Sequence, residues 1–318
     1  MRLGDTTVDI TPLGFGAAGI GNLYSEVSET DAREALEAAW RAGIRYFDTA
    51  PHYGLGLSER RLGAFLSELP RDEFVVSTKV GRRLEPSTGG EWDHSAGFAV
   101  AATHERVWDF SADGIRVSLE SSLERLGLDR VDVLLLHDPD DHWEWAIGEG
   151  IPALAELRAQ GVVKAIGVGM NQWELPARFV REAPIDVVLL AGRYTLFEQG
   201  AATEFLPLCR SRGVSVLAAG VFNSGLLASD DVPDDATYDY LPAPPPVIER
   251  ARRIARVCRR HGVRLPHAAV RFVRRHPDIA AVVLGMRSRA QVEHDAALFD
   301  RPVPEELWTE LRAEGLLP

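Results

Sequence analysis

The feature that most constrains how this chain can fold is a repeated alternation of short apolar runs with longer amphipathic stretches. Eight apolar runs of strand length can be counted, and a helical pattern follows each of them. Strands that alternate with helices predict a parallel sheet, and eight such units are the number that closes a barrel. No stretch has the composition of a linker between domains. We therefore expect residues 1–318 to form one α/β domain, a (β/α)8 TIM barrel with long loops at the C-terminal face.

The periodicity assigns a range to each element. Barrel strands are predicted at 13–18, 44–48, 74–79, 131–137, 163–168, 185–190, 214–218 and 280–284. Helices are predicted at 28–43, 58–66, 113–127, 151–160, 173–181, 202–212, 247–261, 266–276, 288–298 and 304–314. Residues 6–10 alternate like a short strand and predict a hairpin arm before the barrel.

Two segments interrupt this alternation. Residues 81–111 are rich in Gly, Trp, Phe and His, and residues 220–246 are rich in Asp, Gly and Pro. Both are longer than ordinary connections between a strand and a helix. Long loops on the catalytic face of a barrel usually cover or line the active site, so we expect these two to select the substrate.

Composition argues against several classes of partner. The formal net charge is −12 and the arginines are scattered, which argues against nucleic acid and anionic membranes as partners. The basic run between 250 and 260 has the spacing of a solvated helix face. The cysteines, Cys209 and Cys258, and the histidines lack metal-binding spacing, so no metal is expected. Without an apolar signal segment or membrane-spanning run, a cytoplasmic protein is predicted; the oligomeric state is left open.

Four dissimilar polar residues, Asp48, Tyr53, Lys79 and His137, lie at or just beyond the ends of three predicted strands. Each alone has an ordinary explanation, such as a turn residue, a half-buried ring, an ion-pair partner or a loop histidine. In a barrel, however, the carboxyl ends of the strands meet at the face that carries the active site. The combination therefore predicts an acid/base site built around a tyrosine.

The expected chemistry centres on Tyr53. A tyrosine ordinarily titrates near pH ~10 and is a poor base at neutral pH. A neighbouring Lys79 ammonium would favour the phenolate and lower that pKa, and Asp48 could hold Lys79 charged and oriented. His137 could donate a hydrogen bond to the same substrate oxygen. Such a tyrosine can exchange a proton with an alcohol or carbonyl oxygen, but a redox reaction also requires a hydride carrier.

Residues that could hold such a carrier follow the later strands. The Asn171 amide could hold a carboxamide, and Tyr194 offers an aromatic face for stacking a flat ring. The segment from Gly220 to Gly225 could wrap a pyrophosphate with backbone N–H groups, and Gly285 precedes a helix whose N-terminus favours a phosphate. The cofactor-binding candidates are Asn171, Tyr194, Gly220, Phe222, Asn223, Ser224, Gly225, Gly285, Arg287, Ser288, Gln291 and Asp295.

The chain resembles the aldo-keto reductase family across essentially its full length. The resemblance rests on the sequences FDTAPHYG at 47–54, STKV at 77–80, LLH at 135–137 and GIRVSLESSLERLGLDRVD at 114–132. It implies a (β/α)8 barrel that binds a nicotinamide cofactor, NADP or NAD, in an extended form and interconverts carbonyls and alcohols. It also implies a catalytic tetrad with Tyr53 as the acid/base, made of Asp48, Tyr53, Lys79 and His137.

Further motifs are similar to a sugar-oxidising branch of the family. They are VWDFSADG at 107–114, HDPD at 137–140, RYTL at 193–196 and VFNSG at 221–225. The similarity implies that the substrate is an aldose of the L-fucose, D-arabinose or L-galactose type, oxidised at C1 to a lactone. The substrate-binding candidates are Trp108, Phe110, Asp138 and Arg193. An alternative role for the two aromatic residues is to anchor their loop on the barrel.

Two departures from the family pattern bear on the cofactor. Many relatives have Gln shortly before Tyr194, where residues 191–193 read Ala-Gly-Arg, so one carboxamide contact is missing. Many also have Asn at the position of Asp295, whose carboxylate would repel a 2′-phosphate and favour NAD. Arg287 and Arg289 would instead pair with that phosphate and favour NADP. Both cofactors therefore remain open.

Three other functions are compatible with these residues. The first is a broad NADPH-dependent aldehyde or ketone reductase, which would reduce aromatic aldehydes and leave L-fucose and L-galactose unoxidised. The second is a Schiff-base aldolase that uses Lys79, although Tyr53 and Asp48 beside that lysine argue against it. The third is a non-catalytic cofactor sensor, against which the intact tetrad argues.

Overall fold

A computed structural model describes residues 1–88, 90, 92, 93 and 96–318 of this chain. The strands, in chain order, are β1 (Leu13–Gly16), β2 (Tyr46–Asp48), β3 (Val75–Val80), β4 (Arg82–Pro86), β5 (His104–Trp108), β6 (Val133–His137), β7 (Ala165–Met170), β8 (Val187–Ala191), β9 (Ser215–Ala219), β10 (Thr237–Tyr238), β11 (Leu241–Pro242) and β12 (Ile279–Gly285). Within the described residues, eight of them form a closed parallel barrel in the order β1-β12-β9-β8-β7-β6-β3-β2. The TIM barrel predicted from the alternation is confirmed.

Helices surround this barrel. They are α1 (Glu29–Arg41), α2 (Leu57–Leu66), α3 (Ala112–Leu126), α4 (Trp143–Trp145), α5 (Ile151–Ala159), α6 (Glu174–Glu182), α7 (Phe205–Arg212), α8 (Pro245–Arg260), α9 (Leu265–Arg274), α10 (Arg289–Phe299) and α11 (Glu305–Ala313). In the described part of the chain, no helix is long and apolar enough to cross a membrane.

The long segments at 81–111 and 220–246 contain more regular structure than their composition predicts. Strands β4 and β5 pair antiparallel, with Arg82 opposite Trp108, and β10 pairs with β11. The prediction missed the β4–β5 hairpin because its residues are half-buried or exposed, so no apolar face marks it. The helix predicted at 202–212 is also corrected, since a 3-10 turn at Gly200–Ala202 precedes α7.

The interior of the barrel and its outer layer form two hydrophobic clusters among the described residues. The larger cluster lies between the helices and the sheet, whereas the smaller one fills the barrel and contains Leu135, Val187 and Leu217. Residues 1–10 form the expected hairpin arm, in which the Leu3 N–H donates to the Val8 carbonyl at 2.9 Å. Because Leu3 and Val8 belong to the smaller cluster, this hairpin closes one end of the barrel and leaves the other end for the site.

Candidate active site

The strand order brings three of the tetrad positions to one side of the barrel. Strands β2, β3 and β6 are neighbours, and Asp48 pairs in register with Ser77 while Lys79 pairs with Leu135. Tyr53 lies in the loop after β2. That loop turns at Gly54, where φ is +61° and an added Cβ would lie 2.2 Å from the Gly21 carbonyl oxygen, so only glycine fits this close approach.

Lys79 is the centre of the cluster. Its side chain is only 1% exposed, and its ammonium Nζ donates three hydrogen bonds: to Asp48 Oδ2 at 2.7 Å, to the Thr49 carbonyl at 2.9 Å and to the Tyr53 hydroxyl oxygen at 3.1 Å. The ammonium also lies 4.7 Å from the centroid of the Tyr53 ring. An amine with three acceptors has each of its protons satisfied, so Lys79 is charged and fixed in orientation.

A hydrogen-bonded chain behind Lys79 holds Asp48. The Ser77 hydroxyl donates to Asp48 Oδ1 at 2.7 Å, and the Tyr46 hydroxyl lies 2.8 Å from Ser77 Oγ. Because the Ser77 proton is used toward Asp48, Tyr46 is the donor in the second bond. Both carboxylate oxygens of Asp48 thus accept a hydrogen bond, Oδ1 from Ser77 and Oδ2 from Lys79.

The balance of burial and charge sets the pKa values here. Burial raises the pKa of Tyr53, and the Lys79 ammonium offsets only part of that rise, so the net shift is upward. The ammonium alone would lower the pKa of Tyr53, but burial outweighs this effect because a phenolate loses its hydration in this site. Burial lowers the pKa of Lys79, but the charges of Asp48 and Tyr53 more than compensate and raise it overall.

His137 lies edge-on to Tyr53, with ring centroids 5.8 Å apart and ring planes at 89°. Burial, followed by the positive charges of Arg82 and Lys79, holds the pKa of His137 well below its ordinary value. The imidazole is therefore neutral and carries one donor nitrogen and one acceptor nitrogen. Its Nδ1 is buried without a hydrogen-bond partner among the described residues.

Asp138, a substrate candidate, is engaged with neighbouring side chains. Arg82 Nη2 donates to Asp138 Oδ2 at 2.5 Å, and Asn171 Nδ2 donates to Oδ1 at 3.3 Å. The residue adopts a left-handed backbone conformation with φ of +41°. Burial raises the pKa of its carboxyl to about 6 although Arg82 opposes this. Asp138 therefore joins the loops after β6 and β7 to the β4–β5 hairpin.

The two aromatic substrate candidates differ in accessibility. Trp108 is 37% exposed, whereas Phe110 is fully buried beneath it, with the two rings stacked at 5.9 Å between centroids. The Phe110 ring also fills the space beside Gly81, so an added Cβ there would lie 2.2 Å from it. The burial of Phe110 favours its alternative role as an anchor of the loop, whereas Trp108 is exposed and can contact a substrate.

Tyr194 and Arg193 do not offer the surfaces expected of them. Tyr194 is 5% exposed and its ring packs on Phe272 and His276 of the α9 region, so it cannot stack on a cofactor ring from there. Arg193 is paired with Asp239 through two hydrogen bonds of 2.8 and 3.0 Å. The loop between β8 and α7 turns these side chains toward packing partners that the strand-end rule cannot foresee.

The glycine-rich segment after β9 is partly structural and partly open. Asn223 is buried: its Oδ1 accepts from Thr195 and its Nδ2 donates to the Gly192 carbonyl, so its side chain ties two loops together. Phe222 packs against the outer core, and Ser224 Oγ accepts from the Tyr240 N–H at 3.0 Å. By contrast, the last glycine of the segment, at position 225, has open space around it.

The start of α10 is built from the other cofactor candidates. Ser288 caps the helix by accepting the Gln291 N–H, and Gln291 Oε1 accepts the Arg287 N–H at 3.0 Å. The Arg287 guanidinium donates to Ser25 Oγ at 2.5 Å. Gly285, just before this turn, is exposed, with nothing within 4 Å of an added Cβ. Asp295 lies further along the helix and is 7% exposed.

These residues fit a nicotinamide dinucleotide in part. Open backbone at Gly225 and Gly285 together with the start of α10 suits a pyrophosphate, because N–H groups and a helix N-terminus favour anions. The Asn171 amide is also present, although it contacts Asp138 and Tyr240 here. The aromatic stacking surface predicted at Tyr194 is the part that does not fit.

A second glycine pattern serves packing instead. Gly14, Gly16 and Gly19 have the spacing of a Gly-x-Gly-x-x-Gly motif, but a short 3-10 turn follows β1 where a dinucleotide motif requires a long helix. An added Cβ at Gly14 would lie 2.6 Å from the Tyr46 ring, and one at Gly16 would lie 3.2 Å from the Leu284 carbonyl oxygen. These glycines allow β1 to pack tightly in the barrel.

Three residues of the site were missed by the sequence reasoning: His52, Arg82 and Ser77. His52 directly precedes Tyr53, and this adjacency was the available signal. Arg82 lies just beyond the end of β3, where barrel enzymes place functional side chains. Ser77 points to Asp48 because the two are opposite each other in neighbouring strands, which follows only from the observed register.

Comparison with known proteins agrees with this fold. The sequence profile of the Aldo/keto reductase family matches residues 12–314. A D-threo-aldose 1-dehydrogenase from Pseudomonas sp is 49% identical, over 97% of this chain and 95% of that protein. A pyridoxal 4-dehydrogenase from Microbacterium luteolum is 40% identical, over 99% and 97% respectively. The solved holo form of an aldo-keto reductase from Bacillus halodurans superposes with a TM-score of 0.79 at 25% identity, covering 100% of this chain and 96% of that one.

The family match and these relatives show that the chain is an oxidoreductase that uses a nicotinamide cofactor. The chain belongs to the aldo/keto reductase family, whose profile covers nearly all of it. It is an NAD(P)-dependent enzyme related to aldose dehydrogenases.

Proposed function

We propose that this protein oxidises an aldose of the L-fucose, D-arabinose or L-galactose type at C1 to a lactone, with Tyr53 as the acid/base. The observation that carries the proposal is the 3.1 Å contact between the Tyr53 hydroxyl oxygen and the buried Lys79 ammonium, beside a neutral His137. The 49% identical D-threo-aldose 1-dehydrogenase supports a sugar as the substrate.

Each residue of the cluster has a separate role in this reaction. A bound nicotinamide cofactor supplies the two-electron acceptor for the oxidation, or the donor for its reverse. Tyr53 as the phenolate removes the proton from the C1 hydroxyl and returns it when the lactone is reduced. His137 donates a hydrogen bond to the same oxygen and holds it in place. Lys79, fixed by Asp48, stabilises the phenolate.

The cofactor-binding proposal uses Asn171, the glycine-rich segment after β9 and the start of α10. Asn171 would hold the carboxamide, and the backbone from Gly220 to Gly225 together with the start of α10 would hold the phosphates. At the ribose, the Asp295 carboxylate favours NAD, whereas Arg287 favours the 2′-phosphate of NADP. Parallel assays with NAD and NADP decide between them.

A second function, reduction of aldehydes or ketones with NADPH, is favoured by one observation. Burial raises the pKa of Tyr53 above its ordinary value, so the phenol stays protonated at neutral pH. A protonated Tyr53 is an acid that delivers a proton to a carbonyl oxygen, which is the direction of reduction. The two functions share the site and differ in substrate and working pH.

The test measures absorbance of the reduced nicotinamide with NAD or NADP and a panel of L-fucose, D-arabinose, L-galactose, pyridoxal and simple aldehydes. We expect aldose oxidation whose kcat/KM rises with pH toward and beyond the ordinary tyrosine pKa, because the reactive form is the phenolate. Tyr53→Phe should lower the rate about 100- to 10,000-fold, the contribution of a general acid/base.

Tyr238→Phe is the matched control, because the Tyr238 hydroxyl is bonded to Glu198 at 2.5 Å and lies outside the tetrad. This variant should retain most of the activity. Turnover that survives in Tyr53→Phe would contradict the assignment of Tyr53. Reduction of simple aldehydes without oxidation of any sugar would establish the second function instead.

A further inference from the structure

Three aromatic rings form a triangle at the mouth of the barrel. The His52 centroid lies 6.1 Å from that of Tyr53 and 5.4 Å from that of His137, and the latter two are 5.8 Å apart. Tyr53 and His137 are the residues proposed to hold the reacting oxygen. His52 is therefore adjacent to both.

The imidazole of His52 has unused hydrogen-bonding capacity. Its Nδ1 is buried and has no hydrogen-bond partner in the described part of the chain. Burial, followed by the positive charges of Arg82, Arg106 and Lys79, lowers the pKa of His52 to about 2. A neutral imidazole presents one donor and one acceptor, and a buried nitrogen without a partner is costly unless a ligand satisfies it.

The β4–β5 hairpin holds His52 in place. Arg106 Nη2 donates to the His52 carbonyl at 3.0 Å, and the same guanidinium is bound by both carboxylate oxygens of Asp93 at 2.8 and 2.5 Å. The edge contact with Phe98, at 5.3 Å between centroids and 90° between planes, supports the ring from one side. His52 is thus a rigid, neutral polar group rather than a mobile loop residue.

We propose that His52 is a specificity-determining residue that hydrogen-bonds the hydroxyl on C2 of the sugar, next to the carbon that is oxidised. The proposal rests on the proposed function, since the reacting C1 oxygen is placed between Tyr53 and His137. The third ring of the triangle then faces the neighbouring carbon. A site built to bond a hydroxyl discriminates against an analogue that lacks it, because its polar group is left unpaired.

The experiment compares matched substrates in matched variants. D-arabinose and 2-deoxy-D-ribose differ only in the hydroxyl at C2, and kcat/KM is measured for both. Wild-type protein should prefer D-arabinose by roughly tenfold or more, the effect of one well-placed hydrogen bond. His52→Phe keeps a ring and removes the nitrogens, so we expect it to lose this preference by slowing D-arabinose alone.

Phe98→Leu is the control for packing, because it disturbs the support of the ring and keeps its nitrogens. This variant should change kcat/KM for the two pentoses by the same factor and preserve the preference. His52→Asn, which restores an amide donor and acceptor, should recover part of it. A preference that persists in His52→Phe, or its absence in the wild type, would overturn the proposal.

A second pair of substrates distinguishes a failure of the His52 proposal from a failure of the proposed function. Lactaldehyde and propanal also differ by one hydroxyl beside the reacting carbon, and they are assayed in the direction of reduction. If the wild type oxidises neither pentose, the ratio of kcat/KM for lactaldehyde to that for propanal tests His52 instead. The proposed function is contradicted only if L-fucose and L-galactose are not oxidised either. An equal ratio in wild type and His52→Phe would overturn the role of His52 there as well.

Discussion

At the scale of single residues, Lys79 shows how one side chain sets the charge of its neighbours. Its ammonium is buried but has three acceptors within 3.1 Å, so it keeps its proton where an unpaired lysine would lose it. The same charge helps to lower the pKa of His137 and of His52. The Lys79 ammonium therefore favours the phenolate form of Tyr53 and disfavours protonation of His137 and His52.

Asp295 provides a prediction about stability at a single residue. Burial raises the pKa of its carboxyl from 3.8 to about 6. A carboxyl whose pKa is higher in the folded state destabilises the fold when ionised, so the cost is absent below pH 3.8 and complete above about pH 6. We expect Asp295→Asn to raise the free energy of unfolding by roughly 1–3 kcal/mol at pH 7.5 and by much less at pH 4, measured by urea titration.

Glu293→Gln is the matched control, because Glu293 lies on the exposed face of the same helix, α10. It should leave the free energy of unfolding nearly unchanged at both pH values. If the two variants change the free energy of unfolding equally, or if the gain for Asp295→Asn does not depend on pH, ionisation of Asp295 does not destabilise the fold.

At the scale of elements, α2 and α3 cross unusually closely at Gly63. An added Cβ at Gly63 would lie 2.0 Å from the Leu126 carbonyl oxygen of α3. Alanine is favoured over glycine inside an isolated helix by about 1 kcal/mol, but overpacking typically costs 1–3 kcal/mol or more. We therefore expect Gly63→Ala to lower the midpoint of thermal unfolding in spite of its better helix propensity.

Gly148→Ala serves as the control at this scale, since an added Cβ at Gly148 meets nothing within 4 Å. This residue lies in the π-helical turn Ala146–Gly150 before α5, and alanine should stabilise the protein there by about 0.4–1 kcal/mol. If both variants raise the midpoint, the close crossing of α2 and α3 does not constrain position 63.

The elements also show what the sequence could predict. All eight barrel strands lie within two residues of the predicted ranges, because strands buried on both faces are continuous apolar runs. The β4–β5 hairpin was not predicted, since a half-exposed ribbon has polar side chains on both faces. Likewise, the turn at Ala146–Gly150 carries two glycines, which hide the helical pattern ahead of α5.

At the scale of the whole molecule, the site was predictable where strand order alone decides it. Asp48, Lys79 and His137 meet because their strands are neighbours and parallel strands end at one face. Tyr194 was not predictable in the same way. Whether a residue in a loop faces the mouth or the outer layer depends on packing against a distant helix, here α9, and periodicity does not encode it.

The hairpin of residues 1–10 gives a prediction for the molecule as a whole. Leu3 is fully buried in the cluster inside the barrel, at the end opposite the site. Leu3→Ala should lower the free energy of unfolding by about 2–5 kcal/mol, as for other buried leucines. Because the site lies at the other end, kcat/KM at 25 °C should stay close to that of the unchanged protein. Urea titration and the nicotinamide assay measure the two quantities.

Val162→Ala is the control, since Val162 is 40% exposed and its truncation should have little effect on stability. A small loss for Leu3→Ala would mean that the hairpin is not needed to close the barrel. A large loss of kcat/KM in the folded variant would mean that the two ends of the barrel are coupled.

The pairing of β1 with β12 has a consequence for biosynthesis. Leu13 lies in register with Val282, so the first strand finds one of its two partners only after residue 282 has been translated. At about 5–20 residues per second, a ribosome needs some tens of seconds to reach that point. Throughout that interval the nascent β1 has an unpaired edge and an uncovered apolar face, which are the features that chaperones bind and that aggregation exploits. The barrel can therefore close only after β12 has been translated.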